Sequence, residues 1–169
     1  AIGWGISKSG SGVVESLELQ PKRVAVRFDG VYMNAEFWIN GHRLGNWPYG
    51  YSSFEFDLTP HLKPAGQENV IAVRVRNEGK NSRWYSGSGI YRNVWLTVTD
   101  KVFVDHWGTY LTTPEVSRQT ARINLRTRLR NTTESDAPVT FTTILSDPDG
   151  REVARASSEK VIVKGSSVE

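Results

Sequence analysis

The chain has 169 residues, which is enough for one large or two small domains. Its net charge of +3 is too small to predict a nucleic-acid-binding protein. Cysteine is absent, which excludes disulfides and thiolate metal sites, and no apolar run is long enough to span a membrane.

Apolar residues alternate with period two along almost every apolar stretch, and this period predicts β-strands. In chain order the alternating stretches are 23–28, 35–39, 53–58, 70–75 and 93–99. No stretch has the sustained spacing of an amphipathic helix. Residues 58–69 have room for one helical turn, because Pro60 and Pro64 limit its length. Short strands at this spacing indicate a sandwich, so the predicted fold class is all-β.

Two turns are predicted from residue type. Asn40-Gly41 separates two strand-like stretches, and Asn-Gly is the favoured pair for a two-residue hairpin turn. Asp147-Pro148-Asp149-Gly150 is a second turn signal.

A domain boundary is predicted near Asp100. Residues 101–107 start a new strand, and Thr112-Thr113-Pro114 interrupts the chain again. All six Trp lie at or before position 107, so the two blocks differ in the composition of their cores. The predicted domains are 1–100 and 101–169. The second is short beside the roughly 100 residues of an immunoglobulin-like sandwich, and we expect it to be incomplete at its C-terminal end.

A row of arginines lies in the second block, at Arg122, Arg126, Arg128 and Arg130. The intervening residues include Ile123, Leu125 and Leu129, which predicts a strand with one buried and one charged, solvated face. A nucleic-acid surface should also show interleaved stacking aromatics, so we predict no nucleic-acid partner.

No catalytic constellation is apparent. The three histidines, His42, His61 and His106, lack zinc-ligand spacing and are predicted on the surface or in turns. Carboxylates such as Glu36, Glu55, Glu68 and Glu78 are present, but the sequence pairs none of them across a glycosidic bond. Asn77-Glu78 is predicted to lie in a hairpin-like loop without a catalytic role. We therefore predict no catalytic residue, metal site or cofactor in this chain.

The segment 77–95 is the part of the sequence most suggestive of binding. Sugars are bound by polar side chains at their hydroxyls and by aromatic faces at their C–H groups. Asn81 and Arg83 offer hydrogen bonds, and Trp84 and Tyr85 offer stacking rings. In the alternative interpretation, Trp84 and Tyr85 are core residues and Arg83 pairs with a carboxylate.

Three stretches, 27–45, 49–63 and 81–96, resemble the N-terminal sugar-binding domain of glycoside hydrolase family 2. They occur in the family's order, and SGSGIYRNVWL at 86–96 is the most specific. The resemblance is greatest to bacterial β-galactosidases of the family.

This resemblance implies a jelly-roll β-sandwich over 1–100, lacking its native start, and an immunoglobulin-like sandwich over 101–169. It also implies a TIM barrel, outside this chain, that carries both catalytic glutamates. In such enzymes the loop that corresponds to Asn81-Ser82-Arg83 helps to hold a terminal β-linked, galactose-like sugar, whereas Trp84 and Tyr85 keep both interpretations given above. The expected partners are that sugar and the barrel.

Three functions remain open from the sequence. The chain is a non-catalytic fragment of a retaining β-galactosidase, a stand-alone carbohydrate-binding module, or a structural or adhesive pair of sandwiches. We also expect self-association through residues after about 139, because an incomplete sandwich exposes a strand edge. The N-terminus lacks a signal-peptide pattern, and the compartment stays open.

Overall fold

The structure is a computed structural model that describes residues 5–6, 11–14, 22–78 and 87–169. These residues form strands and one 3-10 turn, Thr59–His61, with no α-helix among them. The strands are β1 Gly5–Ile6, β2 Ser11–Val14, β3 Arg23–Phe28, β4 Val31–Tyr32, β5 Ala35–Ile39, β6 His42–Trp47, β7 Phe54–Asp57, β8 Asn69–Arg74, β9 Gly89–Ile90, β10 Val94–Thr99, β11 Val102–Val116, β12 Ala121–Asn131, β13 Ala137–Ser146, β14 Glu152–Ile162 and β15 Ser167–Val168. The all-β prediction is confirmed, and so is the short turn predicted within 58–69. No helix in the described ranges is long and apolar enough to cross a membrane.

The chain divides into two compact units, Ala1–Asp100 and Lys101–Glu169. In the first unit, a five-stranded sheet has the order β1-β2-β8-β5-β6 and a three-stranded sheet has the order β10-β3-β7. A short ribbon pairs β4 with β9. Every strand pair described in this unit is antiparallel.

Aromatic side chains from both sheets of the first unit meet in one core. Phe28 on β3 lies 4.9 Å from Phe37 on β5, measured between ring centroids, and Phe54 on β7 lies 5.4 Å from Phe28 and 5.1 Å from Phe37. Val24, Val26, Ala35, Ile39 and Ile71 are buried around these rings. The period-two pattern thus places alternate residues of each sheet in a shared interior, as in a sandwich.

The Asn40-Gly41 turn is confirmed in its predicted form. Ile39 pairs with His42 across a two-residue loop, and φ is +51° at Asn40 and +84° at Gly41. Positive φ at both central residues is the signature of a type I′ turn. The Asn40 amide also donates to the Asn69 side chain and to the His61 backbone oxygen, each at 2.8 Å, so it ties the turn to the neighbouring segment.

That network brings two of the three histidines together, which the sequence did not predict. The His42 and His61 rings stack with centroids 4.8 Å apart and planes 14° apart. The two residues are 19 positions apart, so spacing along the chain gave no signal of the contact.

The second unit contains the sheet β11-β12-β15 and the ribbon β13-β14. The DPDG turn joins the two strands of the ribbon, with φ +82° at Gly150 and the Asp147 carboxylate accepting from the Arg151 amide at 2.9 Å. The predicted interruption at Thr112-Thr113-Pro114 is a register shift inside β11, and the strand continues to Val116. Proline lacks an N–H, so an irregular step in the pairing accommodates it without ending the strand.

The arginine row on β12 has the predicted alternation near its C-terminal end. Leu129 is buried, whereas Arg126, Arg128 and Arg130 are exposed. At the other end Ile123 is itself 39% exposed, so the buried face is confined to the later part of the strand.

Glu36 on β5 is the centre of a cluster of basic side chains on the first unit. It faces Arg74 directly across the β5–β8 pair, and the Arg74 Nε lies 2.8 Å from its carboxylate. Arg43 and Arg76 approach to 3.6 Å and 3.9 Å. The hydrogen bond from Arg74 outweighs partial desolvation and, with the three positive charges, holds the pKa of Glu36 below its ordinary value of 4.5.

We predict that Glu36→Gln lowers the melting temperature at neutral pH and that the difference from wild type vanishes in acid. A depressed folded-state pKa contributes stability above the unfolded pKa and loses it as pH falls through the folded value, so the gap should close below about pH 4.5. The measurement is a series of thermal melts of both proteins from pH 7 to 3. Glu68→Gln is the control, because Glu68 has no ion pair in the described part of the chain. A gap that stays constant over this range would contradict the prediction.

Candidate functional site

The four residues predicted to bind sugar, Asn81, Arg83, Trp84 and Tyr85, lie in 79–86, outside the described residues. Both ends of that segment are described, and they show where it leaves and rejoins the first unit. We call residues 75–78 and 87–91 its two bases.

The two bases lie side by side. The Asn77 side-chain amide donates to the Ser88 hydroxyl at 3.0 Å, although the residues are 11 positions apart. The Arg76 amide donates to the Met33 backbone oxygen at 3.2 Å, and the Arg76 oxygen accepts from the Asn34 side chain at 3.3 Å. The Asn77–Ser88 contact holds the two bases together, and the two Arg76 contacts fix the first base to residues 33–34.

The second base, residues 87–91, is fixed to residues 30–32, just before the residues that hold the first base. Val31 pairs with Ile90 in the β4–β9 ribbon, and the Tyr91 amide donates to the Gly30 backbone oxygen at 3.3 Å. A β-carbon at buried Gly30 would lie 2.8 to 2.9 Å from three atoms at the far end of the Tyr91 side chain, so a larger residue there would displace that side chain. Residues 30–34 thus hold both bases.

Beside these bases lies a group of tyrosines, which we call the tyrosine cluster: Tyr32, Tyr49, Tyr51 and Tyr91. The Tyr51 ring meets Tyr32 edge-on at 5.4 Å and Tyr49 at 5.6 Å. The Tyr91 hydroxyl donates to the Gly50 backbone oxygen at 2.7 Å. Tyr32 is buried, whereas Tyr49, Tyr51 and Tyr91 are 58%, 51% and 46% exposed.

The cluster combines apolar ring surface with phenolic hydroxyl groups. Desolvation, together with a hydrogen bond to Tyr32, raises the pKa of Tyr51 above its ordinary value of 10.0. Neutral phenols can both donate and accept hydrogen bonds, and ring faces and edges pack against C–H groups. This is a surface suited to a polyhydroxylated ligand.

Sequence reasoning did not single out the tyrosine cluster. Tyr49 and Tyr51 lie in the stretch 49–63 that carries the family resemblance, but the contacts of residues 49–51 with Tyr32 and Tyr91 join segments up to 41 positions apart. The local feature that could have drawn attention is the sequence Tyr49-Gly50-Tyr51. The structure explains its glycine, because a β-carbon at Gly50 would lie 2.3 Å from the Tyr32 ring.

The carboxylates considered for catalysis have structural partners in two cases. Glu55 pairs with Arg23 at 2.6 Å, and both side chains are about one-tenth exposed. Glu36 is held by the arginines described above. Within the described ranges, no three His, Cys, Asp or Glu side chains come together as a metal site.

A family model assigns the first unit. The model of the glycosyl hydrolases family 2 sugar-binding domain matches residues 10–100, more than half of the chain. Its range includes both bases and the tyrosine cluster.

Curated relatives agree with that match. The chain is 52% identical over 144 residues to a β-galactosidase of Bacteroides ovatus, covering 85% of this chain and 17% of that protein. It is 33% identical over 165 residues to a β-glucuronidase of Formosa agariphila, covering 85% of this chain and 17% of that protein. The chain therefore spans less than one-fifth of the length of either relative.

Solved structures share the fold. A glycosyl hydrolase family 2 member from Bacteroides cellulosilyticus superposes with a TM-score of 0.83 at 37% identity, over 94% of this chain and 23% of that one. A family 2 β-glucuronidase superposes with a TM-score of 0.85 at 30% identity, over 95% of this chain and 19% of that one. The sequence resemblance is thereby confirmed: this chain belongs to glycoside hydrolase family 2, and it contains the family's N-terminal sugar-binding domain.

Proposed function

We propose that this chain is the non-catalytic N-terminal part of a retaining β-galactosidase. The observation that carries the proposal is its 52% identity, over 85% of its length, to the β-galactosidase of Bacteroides ovatus. In this role the chain contributes a sugar-binding wall to an active site whose two catalytic glutamates lie on a TIM barrel of the parent enzyme. The bond-breaking chemistry belongs to that barrel.

The sugar-binding wall consists of the segment 79–86 with its fixed bases. Asn81 and Arg83 hydrogen-bond hydroxyls of the terminal galactose, and Trp84 and Tyr85 supply ring surface. The anchoring of both bases to residues 30–34 supports this role, because a contact that positions a substrate needs a rigid support. The tyrosine cluster adds exposed ring edges and hydroxyls beside the same bases.

The chain alone should hold sugar weakly. One wall buries little of a monosaccharide, while the cost of ordering ligand and side chains remains. A dissociation constant of about 1 mM or weaker, equivalent to roughly −4 kcal/mol, is the expected scale for galactose. A stand-alone carbohydrate-binding module would bind an oligosaccharide more tightly than this.

A β-glucuronidase is the competing parent enzyme, because a relative at 33% identity bears that name. We predict that the full-length parent hydrolyses aryl β-galactosides faster than aryl β-glucuronides. We also predict that the 169-residue chain hydrolyses neither. Retention needs an acid and a nucleophile about 5 to 5.5 Å apart, and the family supplies both from the barrel.

The measurement is a rate assay of the parent and of the purified chain on both substrates. Faster glucuronide hydrolysis by the parent would contradict the galactosidase assignment. Turnover by the chain that survives purification and disappears in Glu78→Gln would contradict the non-catalytic role.

The role of Arg83 can be tested in the parent. We predict that Arg83→Ala lowers kcat/KM roughly 10- to 150-fold, which corresponds to the loss of a hydrogen bond to a charged group worth about 1.5 to 3 kcal/mol. Arg83→Lys should recover only part of this loss, because lysine lacks the planar fork. Steady-state kinetics and thermal melts of each variant give the two readouts.

Arg92→Ala is the matched control, since Arg92 is an exposed arginine just beyond the second base, with its guanidinium 5.4 Å from the Tyr91 ring centroid. Its kcat/KM should stay within about twofold of wild type. A melting temperature that falls by many degrees in Arg83→Ala, with kcat/KM per folded molecule unchanged, would make Arg83 a structural residue.

Self-association of the isolated chain is a further expected property. In the described residues, β13 and β14 pair only with each other, and Ile144, Val153, Val161 and Val163 are 50% to 64% exposed. Unpaired edges with apolar side chains pair readily with a second copy. We predict concentration-dependent dimers by light scattering.

Val161→Lys should weaken the dimer, because a charge on an exposed edge strand opposes pairing. Val116→Lys is the control, as Val116 is 70% exposed on β11. A strict monomer at every concentration would rule out this mode of association.

A further inference from the structure

Strand β11 contains a bulge that re-aims its side chains. Pairing with β12 passes from Val104↔Leu129 to Thr109↔Thr127, so residues 105–108 lie opposite the single residue Arg128. We call residues 105–108 the β11 bulge. The stretch 101–107 was predicted to start a new strand, and the regular pairing of that strand is interrupted at this point. Bulges of this kind commonly re-orient a side chain next to a functional site.

The β11 bulge is tightly constructed. The Asp105 carboxylate receives a charged hydrogen bond from Arg130 at 2.6 Å and a second one from the His106 amide at 3.1 Å. Gly108 is buried, and a β-carbon there would lie 2.6 Å from the Asp105 backbone oxygen and 2.9 Å from the Arg128 backbone oxygen. The backbone therefore packs directly on β12 beside Arg128, and only glycine fits.

Trp107 is presented to solvent by this bulge in an unfavourable backbone conformation. Its φ is +55°, in the left-handed region that disfavours bulky side chains, and the residue is 76% exposed. The ring meets His106 at 5.4 Å. A folded protein gains little from an exposed indole, and Gly or Asn would fit this φ better. Backbone strain that holds an exposed aromatic is a recurring feature of ligand sites.

A second aromatic and two arginines lie on the paired strands β11 and β12 on either side of the β11 bulge. Tyr110 is 64% exposed and pairs with Arg126, and Arg128 follows two residues along the same face of β12. Arg122 and Arg130 are neutralised by Glu115 and Asp105. In contrast, Arg126 and Arg128 have no ion pair with any described residue. The β11–β12 pair thus carries two exposed rings and two guanidinium groups that have no ion pair among the described residues.

We propose that Trp107, Tyr110, Arg126 and Arg128 form a second binding site, which takes an oligosaccharide that carries carboxylate or sulfate groups. The indole face packs on the C–H face of a pyranose ring. The guanidinium groups bind the anionic substituents with paired hydrogen bonds. This site lies on the second unit and involves none of the residues of the segment 79–86, so it does not rest on the proposed catalytic role of the parent.

The charges favour an anionic glycan over nucleic acid. Nucleic-acid affinity comes mainly from many phosphate contacts, whereas this face has two arginines without an ion pair to a described residue, and the chain has a net charge of only +3. Two arginines are enough to bind the carboxylate or sulfate groups of one or two sugar residues.

The test is a set of titrations of the 169-residue chain, in which tryptophan fluorescence and NMR report the binding. The probes are an oligogalacturonate, a heparin-derived oligosaccharide, an uncharged β-galactan oligosaccharide and single-stranded oligothymidylate. The oligogalacturonate or the heparin-derived oligosaccharide should bind about tenfold more tightly than the galactan. Added salt should weaken the binding of that acidic probe, because the arginine charges are exposed. Which of the two binds identifies carboxylate or sulfate. Equal binding of the galactan, tighter binding of the oligothymidylate, or no binding of either acidic probe would overturn the proposal.

Variants separate binding from folding. Trp107→Asn should weaken the acidic probe about tenfold while the melting temperature is unchanged or raised, because Asn tolerates positive φ. Arg126→Ser with Arg128→Ser should weaken it at least as much and remove the salt dependence. Arg155→Ser on β14 is the matched control and should bind as wild type. If Trp107→Asn fails to fold, the test relies on the double variant Arg126→Ser with Arg128→Ser. Wild-type affinity of that double variant for the acidic probe would contradict the proposal.

Discussion

The contact between Phe28 and Phe37 is the constraint on which the first unit depends. Phe28 belongs to the three-stranded sheet and Phe37 to the five-stranded sheet, and both are almost fully buried, with their rings 4.9 Å apart. Aromatic side chains of this size contribute a large share of core burial. Because only residues 29–34 connect β3 to the start of β5, fixing these two rings also fixes where the chain crosses from one sheet to the other.

That crossing is the support of the candidate site. Residues 30–34 contact both bases of the segment 79–86, so the segment is tied to the core through a connection of only six residues. Gly30 and Gly50 allow the close approach of Tyr91 and Tyr32, which packs the tyrosine cluster against the same connection. Binding residues are often carried on loops held by a rigid sandwich. In this unit the connection that holds the two bases lies between the buried residues Phe28 and Phe37.

The sequence predicted the features that depend on local order. Period-two alternation located the strands, and Asn40-Gly41 gave both the position and the type of the first hairpin turn. Contacts between distant segments left no such pattern, so the stacking of His42 on His61 and the tyrosine cluster were missed. At Pro114 the residue type indicated a break, but pairing with β12 resumes after a register shift and keeps the strand continuous. For the candidate site, residue types and the family resemblance pointed to 81–85, which the described residues do not include.

The arginine row shows why a surface is harder to predict than a strand. Its alternation along β12 correctly indicated a charged outer face, and the absence of aromatics between the arginines argued against a nucleic-acid surface. The aromatics are supplied by the neighbouring strand: Tyr110 lies across from Arg126, and the β11 bulge, which contains Trp107, lies opposite Arg128. Interleaving of charge and ring is therefore a property of the sheet and not of either strand. The bulge that creates it depends on a positive φ at Trp107 and on a glycine at position 108, where a β-carbon would have no room.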